Sequence, residues 1–193
     1  SIETAFESRL FDTIHLSTDC SKILKLGMTK GLKKVPLRKK ILSGDKVPLI
    51  EVIKQVNNYY EQNKIFFDEI WLIMACAPLL NVSDLKGAEK LFSKHKREFP
   101  LMPVTKYSAP IQRANTLDKN YFLKKINKKS KNNSQNYKEY YHDAGSFAIF
   151  PKNTIVSKSK DFKWLGYLIP KERSIDIDDM SDWKIAESLF KSI

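Results

Sequence analysis

The tightest constraint in this chain is the largely apolar run from Glu69 to Met74, set between two amphipathic stretches. An apolar run of that length without alternation fits a strand buried on both faces. Before it, Leu49, Val52, Ile53, Val56 and Tyr60 recur at helical spacing behind Pro48. Proline suits a first helical turn, where its missing N–H is no loss. After it, Ser83 is placed to cap a helix carrying Leu85, Ala88 and Phe92. Helix, strand and helix in succession predict an α/β layer fold with a mostly parallel sheet.

The flanks extend this pattern. Ile2, Phe6 and Leu10 lie four apart and read as a helix end, and Phe11 to Ser17 reads as a short buried strand. Ser21 to Lys30 reads as a helix closed near Gly31, and Lys33 to Gly44 as a basic, irregular stretch around Pro36. From Tyr107 to Tyr141 the chain is polar and rich in Lys and Asn, with Tyr121 to Ile126 as a strand of a small excursion. Ala144 to Phe150 and Trp164 to Ile169 read as strands, and Ser181 to Lys191 as a final helix. A length of 193 residues predicts one domain.

Composition removes several function classes. Ile70 to Leu80 is the longest apolar run; Pro78 interrupts it, and it is too short to span a bilayer. No charged-then-apolar leader is visible, and Cys20 and Cys76 are too few for a disulfide framework, so a reducing cytoplasmic home is expected. His15, His95 and His142 lack metal-ligand spacing. The net charge of +12 attracts polyanions. The densest cluster, Lys124, Lys125, Lys128, Lys129 and Lys131, has no interleaved aromatics of the kind that stack on bases. It reads as a solvated hairpin region, and neither a nucleic acid nor a membrane is expected as partner.

Four segments carry candidate chemistry. In Ser174-Ile175-Asp176-Ile177-Asp178-Asp179, alternation in a strand would put Asp176 and Asp178 on one face. Two carboxylates together make a hard oxygen site suited to Mg²⁺. The other reading is that Asp178 or Asp179 caps the final helix, which spacing alone favours. Tyr141-His142-Asp143-Ala144-Gly145-Ser146-Phe147 sets an aromatic, an imidazole and a carboxylate before a strand, fit either to hydrogen-bond a polyhydroxylated ligand or simply to turn the chain. Ser17-Thr18-Asp19 falls where α/β sheets place ligand loops, and Arg38 could meet a phosphate. The six glycines form no phosphate-cradling loop.

In order along the chain, these pieces resemble the acylneuraminate cytidylyltransferases, the CMP-sialic acid synthetases. Ser1 to Ala5, Leu10 to Asp12 and Ser17 to Asp19 resemble the family's first helix and second strand. Val35-Pro36-Leu37-Arg38 with Ser43-Gly44-Asp45 resembles its next loop, and Ala75 to Leu79 its strand-end segment. Pro110-Ile111-Gln112-Arg113-Ala114 and Tyr141 to Phe147 look most like the pseudaminic acid branch. Ile175 to Asp178 resembles the family's metal-binding pair, which reverses the preference for capping at Asp176 and Asp178.

The resemblance implies a Rossmann-like nucleotidyltransferase fold, three-layer α/β/α with a mostly parallel sheet. It implies transfer of CMP from CTP to a nonulosonic acid, of pseudaminic type by its pocket residue Ala75, with release of pyrophosphate and a product serving surface glycan or flagellin glycosylation. Asp176 and Asp178 would hold Mg²⁺ and be catalytic. Arg38 and Asp45 would serve the nucleotide, and Gln112, Arg113, Tyr141, His142, Asp143 and Phe147 the sugar. Residues 1–193 would form a single domain, with 107–140 a dimerisation excursion of a homodimer. By the resemblance, the family's opening strand and nucleotide loop would be expected ahead of Ser1. The alternative is a non-catalytic nucleotide- or sugar-binding relative.

Overall fold

The computed structural model describes residues 1–126, 137–157, 159 and 161–192. Helix α1 (Ile2–Ser8) is followed by α2 (Ser21–Thr29) and α3 (Leu49–Gln62). Pro48 at φ −61 precedes α3, which buries Val52 and Ile53 as its spacing predicts. Phe11 to Ser17, expected as a strand, makes no strand ladder. It is anchored through side chains instead: Phe11 meets Trp71 edge-on at 5.3 Å.

Strand β1 (Glu69–Ile73) leads to α4 (Val82–Lys94). The cap of α4 is Asn81 rather than Ser83: Asn81 accepts from the Asp84 N–H, and Asp84 accepts back from the Asn81 N–H. That reciprocal pair satisfies two of the amides a helix start leaves orphaned. Then come β2 (Leu101–Lys106), the hairpin strands β3 (Asn115–Leu117) and β4 (Leu123–Lys125), and β5 (Tyr141–Asp143) with β6 (Phe147–Pro151). Helix α5 (Lys152–Val156), β7 (Leu165–Leu168) and α6 (Met180–Phe190) complete the order.

The main sheet corrects the expectation of a mostly parallel one. β1 pairs antiparallel with β6, from Glu69↔Pro151 to Ile73↔Phe147. β2 pairs antiparallel with β5 and with β6, and parallel with β7 from Leu101↔Leu165 to Val104↔Leu168. Thus β1, β2 and β7 run one way, β6 runs the other way between β1 and β2, and β5 pairs antiparallel with β2 before the break at Ala144–Ser146. Apolar periodicity reports burial and is blind to strand direction, so the antiparallel insertion was not legible. β1 ends the strand order and is half-buried throughout, not sealed on both faces.

The core lies where α4 packs on this sheet. Leu85, Ala88 and Phe92 meet Leu101, Phe147 and Ile149, with Trp71 and Tyr167 at the margin. The β3–β4 hairpin forms a separate two-stranded sheet with exposed residues throughout. Much of the lysine cluster (Lys128, Lys129, Lys131) lies outside the described residues.

Candidate active site

The site grows from the break in the long strand. Gly145 adopts φ 65, a conformation open to glycine at little cost. Its N–H donates to Asp143 Oδ1 at 2.9 Å, and the neighbouring Ala144 N–H donates to the Pro103 carbonyl at 3.0 Å. On the other side, Met74 N–H donates to the Ser146 carbonyl at 2.9 Å. These bonds stitch the break to β2 and to the carboxyl end of β1.

The segment carrying Asp176 and Asp178 docks onto that break. It is not the strand that alternation suggested; it leaves a short helical turn at Lys171–Arg173 and runs as a loop to α6. It is tied to the turn after β1 by the Ile177 N–H, which donates to the Cys76 carbonyl at 3.1 Å. Asp176 lies against Gly145 so closely that a Cβ there would stand 2.8 Å from Asp176 Oδ2 and 3.3 Å from its Cγ. Burial first, then the neighbouring Asp176 carboxylate, push the Cys76 thiol up to about 11, and the charge of Asp178 adds to the effect. Capping falls to their neighbour: Asp179 accepts from the Ser181 and Asp182 N–H groups at the start of α6.

Asp176 Oδ1 is buried with no hydrogen-bond partner among the described residues. A buried carboxylate oxygen without a donor is costly unless a cation or water completes it. Among the described residues no group of three or more His, Cys, Asp or Glu stands ready to enclose an ion. Two carboxylates with open positions fit Mg²⁺, which keeps waters and takes substrate phosphates as ligands.

Two residues that sequence reasoning missed hold this loop in place. Arg173 donates from Nε to Asp84 Oδ2 at 3.0 Å and from Nη2 to Asp84 Oδ1 at 2.7 Å. Asp84 is 1% exposed. The partners are 89 residues apart, so no local spacing could have paired them.

A cleft of about 540 Å³ lies between α3 and the loop containing Arg38, with His15, Tyr59 and Lys54 in its wall. Arg38 joins two segments singled out from sequence: its N–H donates to the Thr18 carbonyl at 2.8 Å, and Nη2 lies 3.9 Å from Asp19 Oδ1. Its Nε donates to Ser43 Oγ at 3.2 Å. Burial holds the His15 imidazole in this wall below its ordinary pKa. Asp45 sits in an exposed turn and does not line the cleft.

The residues expected at the sugar divide. Tyr141, with Thr105, Tyr107 and Lys171, lines a second cleft of about 520 Å³. Tyr141 also donates to Glu139, which pairs with Lys106. His142 is exposed, stacks obliquely on Tyr107 at 4.8 Å and donates from Nδ1 to the Asp143 carbonyl at 2.8 Å. Asp143 caps the Gly145 turn. Gln112 and Arg113 lie on a short turn before β3; Gln112 donates to the Lys138 carbonyl at 3.0 Å, while its Oε1 is buried and unpartnered among the described residues. Phe147 is a correction. It is 3% exposed and stacks on Trp71, so it is a core residue and presents no face to a ligand.

The fold is that of a nucleotidyltransferase domain. A solved CTP complex of CMP:2-keto-3-deoxy-manno-octonic acid synthetase superposes with a TM-score of 0.62 at 9% identity, over 99% of this chain and 87% of that one. No family model matches the chain. Among sequence relatives, the pseudaminic acid cytidylyltransferase of Campylobacter jejuni (strain 81-176) is 31% identical, over 99% of this chain and 83% of the relative. The N-acylneuraminate cytidylyltransferase of Escherichia coli O18:K1:H7 is 25% identical, over 96% of this chain and 44% of the relative. The chain belongs to the acylneuraminate cytidylyltransferase family, and stands nearer its pseudaminic acid members.

Proposed function

We propose that this protein transfers CMP from CTP to a nonulosonic acid, pseudaminic acid in the first instance, releasing pyrophosphate. The observation that carries this reading is the likeness to the Campylobacter jejuni enzyme along nearly the whole chain. The sugar's anomeric oxygen attacks the α-phosphate; the bond to the β-phosphate oxygen breaks, and pyrophosphate leaves. Asp176 and Asp178 would hold Mg²⁺, which would supply positive charge to the triphosphate and its leaving group. Gly145 keeps its backbone low so that the Asp176 carboxylate can lie over the strand break. Arg38, prefixed by Ser43 and Thr18, presents a cation to the nucleotide from the larger cleft.

On the sugar side, Tyr141 and His142 supply aromatic and hydrogen-bonding surface, and Arg113 with Gln112 meets the acid group. Asp45 assists the nucleotide through its turn rather than from the cleft wall. The 107–140 excursion, whose β3–β4 hairpin exposes Leu117, Phe122 and Leu123, serves a homodimer. No helix among the described residues is long and apolar enough to cross a membrane, and the reading places the enzyme in the cytoplasm with its CTP.

The test is pyrophosphate release by the protein in its gene-encoded length, with CTP, Mg²⁺ and a panel of nonulosonic acids. Release with pseudaminic acid, abolished by a chelator, is the expected result. Silence from folded protein with every sugar overturns the enzymatic reading and leaves a binding relative.

A further inference from the structure

The loop that carries Asp176 and Asp178 makes no ladder hydrogen bonds, so something else must fix it. Its downstream attachment is the Ile177 N–H on the Cys76 carbonyl. Its upstream attachment is the Arg173 guanidinium, which closes both oxygens of Asp84 in a fork. A bidentate fork fixes direction as well as distance, unlike a single contact. Arg173 precedes Asp176 by three residues.

Asp84 is itself held rigidly. Its Oδ2 also accepts the Asn81 N–H at 3.3 Å, and its own N–H donates to Asn81 Oδ1 at 3.0 Å. The carboxylate is thus locked at the start of α4 before Arg173 arrives. Tyr167 of β7 lies against the same helix: a Cβ on Gly87 would stand 2.2 Å from the Tyr167 hydroxyl oxygen. Burial first, then the charge of Asp84, push the Tyr167 phenol up, and Arg173 opposes them. Glycine at 87 therefore lets β7 approach α4, and the turn after β7 delivers Arg173 to Asp84.

We propose that Arg173 and Asp84 are a positioning pair that sets the Asp176–Asp178 carboxylates for the cation. This rests on the metal role given to those carboxylates above. Neither member touches substrate; the pair acts through the loop. Outer partners that orient metal ligands change affinity by about 10- to 100-fold when removed.

The test is binding of Mn²⁺ alone to the purified full-length protein, read from the electron paramagnetic resonance signal of free ion, with thermal unfolding measured in parallel. Arg173→Met is expected to weaken Mn²⁺ binding about 10- to 100-fold while the protein is still folded at the assay temperature. Arg173→Lys keeps the charge but loses the fork, and is expected to fall between wild type and Arg173→Met. It also serves as the readable variant should Arg173→Met fail to fold. Asp178→Asn is the reference for the site itself. If Asp178→Asn abolishes Mn²⁺ binding but a folded Arg173→Lys or Arg173→Met binds as wild type with only a lowered Tm, the pair is merely structural and the inference falls. If Asp178→Asn binds as wild type, the metal assignment falls, and the positioning role falls with it.

Discussion

Replacing Gly145 with alanine separates two effects that usually arrive together. The first is backbone strain: φ is 65, and a non-glycine residue in such a conformation costs about 1–3 kcal/mol. The second is displacement. The new Cβ would stand 2.8 Å from Asp176 Oδ2, 3.3 Å from Cγ and 3.5 Å from Cβ, so it meets the whole carboxylate rather than a flexible tip. Relief requires Asp176 to retreat by roughly half an ångström or more, given ordinary non-bonded separations of ~3.5 Å. Misplacement of a reacting group by about 1 Å costs on the order of a hundredfold in rate. Gly31→Ala supplies the control. Its φ is 93, yet its Cβ would find only Phe6 Cζ at 3.9 Å, so it carries strain without a clash. Thermal unfolding should show both variants lowered, by about 2–4 °C per kcal/mol at this chain length. Steady-state pyrophosphate release should fall roughly 10- to 100-fold in kcat/KM for Gly145→Ala and stay at the wild-type level for Gly31→Ala. Equal activities in the two variants would refute the claim that Gly145 makes room for a working Asp176.

The remaining expectations are brief. Asp176→Asn and Asp178→Asn should each lose Mg²⁺-dependent turnover while remaining folded, read as pyrophosphate release across a Mg²⁺ titration. Arg38→Met should raise KM for CTP by about 10- to 100-fold, the scale of a lost charged hydrogen bond of ~1.5–3 kcal/mol, with KM for the sugar little changed. In a Cys20→Ser background, Cys76 should alkylate at pH 8 about a hundredfold more slowly than an ordinary thiol, because its value is about 11 against 9.0; Asp176→Asn should recover part of that rate. The same shift has a definite sign for stability: the native state keeps the thiol neutral while the unfolded chain ionises, so stability falls as pH rises from 9 towards about 11.

Helices were the most legible part of the fold. The apolar faces of α3 and α4 lie at 3.6-residue spacing, and burial of Val52, Ile53, Leu85, Ala88 and Phe92 follows from it. Strands were legible as segments but not as partners. Ala144 to Phe150 reads as one apolar run, whereas the chain breaks at Gly145 and resumes at Phe147 with its direction opposed to β1 and β2. Phe11 to Ser17 has strand-like composition, yet composition supplies no hydrogen-bonding neighbour. Phe147 was misassigned for a related reason: an aromatic beside His142 and Asp143 resembles a ligand contact, and only the register opposite Ile73 shows that it turns inward onto Trp71.

The site itself was legible in its polar members and not in what positions them. Asp176 and Asp178 stand out because two carboxylates one residue apart are chemically suggestive, but what sets their backbone is not alternation in a strand. It is a loop pinned at Cys76 and at Asp84, from segments about a hundred residues upstream. Loop closure over such a separation is entropically expensive, and the structure meets it with contacts that are individually strong: a forked ion pair and a backbone bond into the turn after β1. That division explains why the proposed ligating groups could be read from a short stretch while the proposed positioning groups could not. The first follows from side-chain chemistry alone, and the second exists only once β7 has carried Arg173 alongside α4.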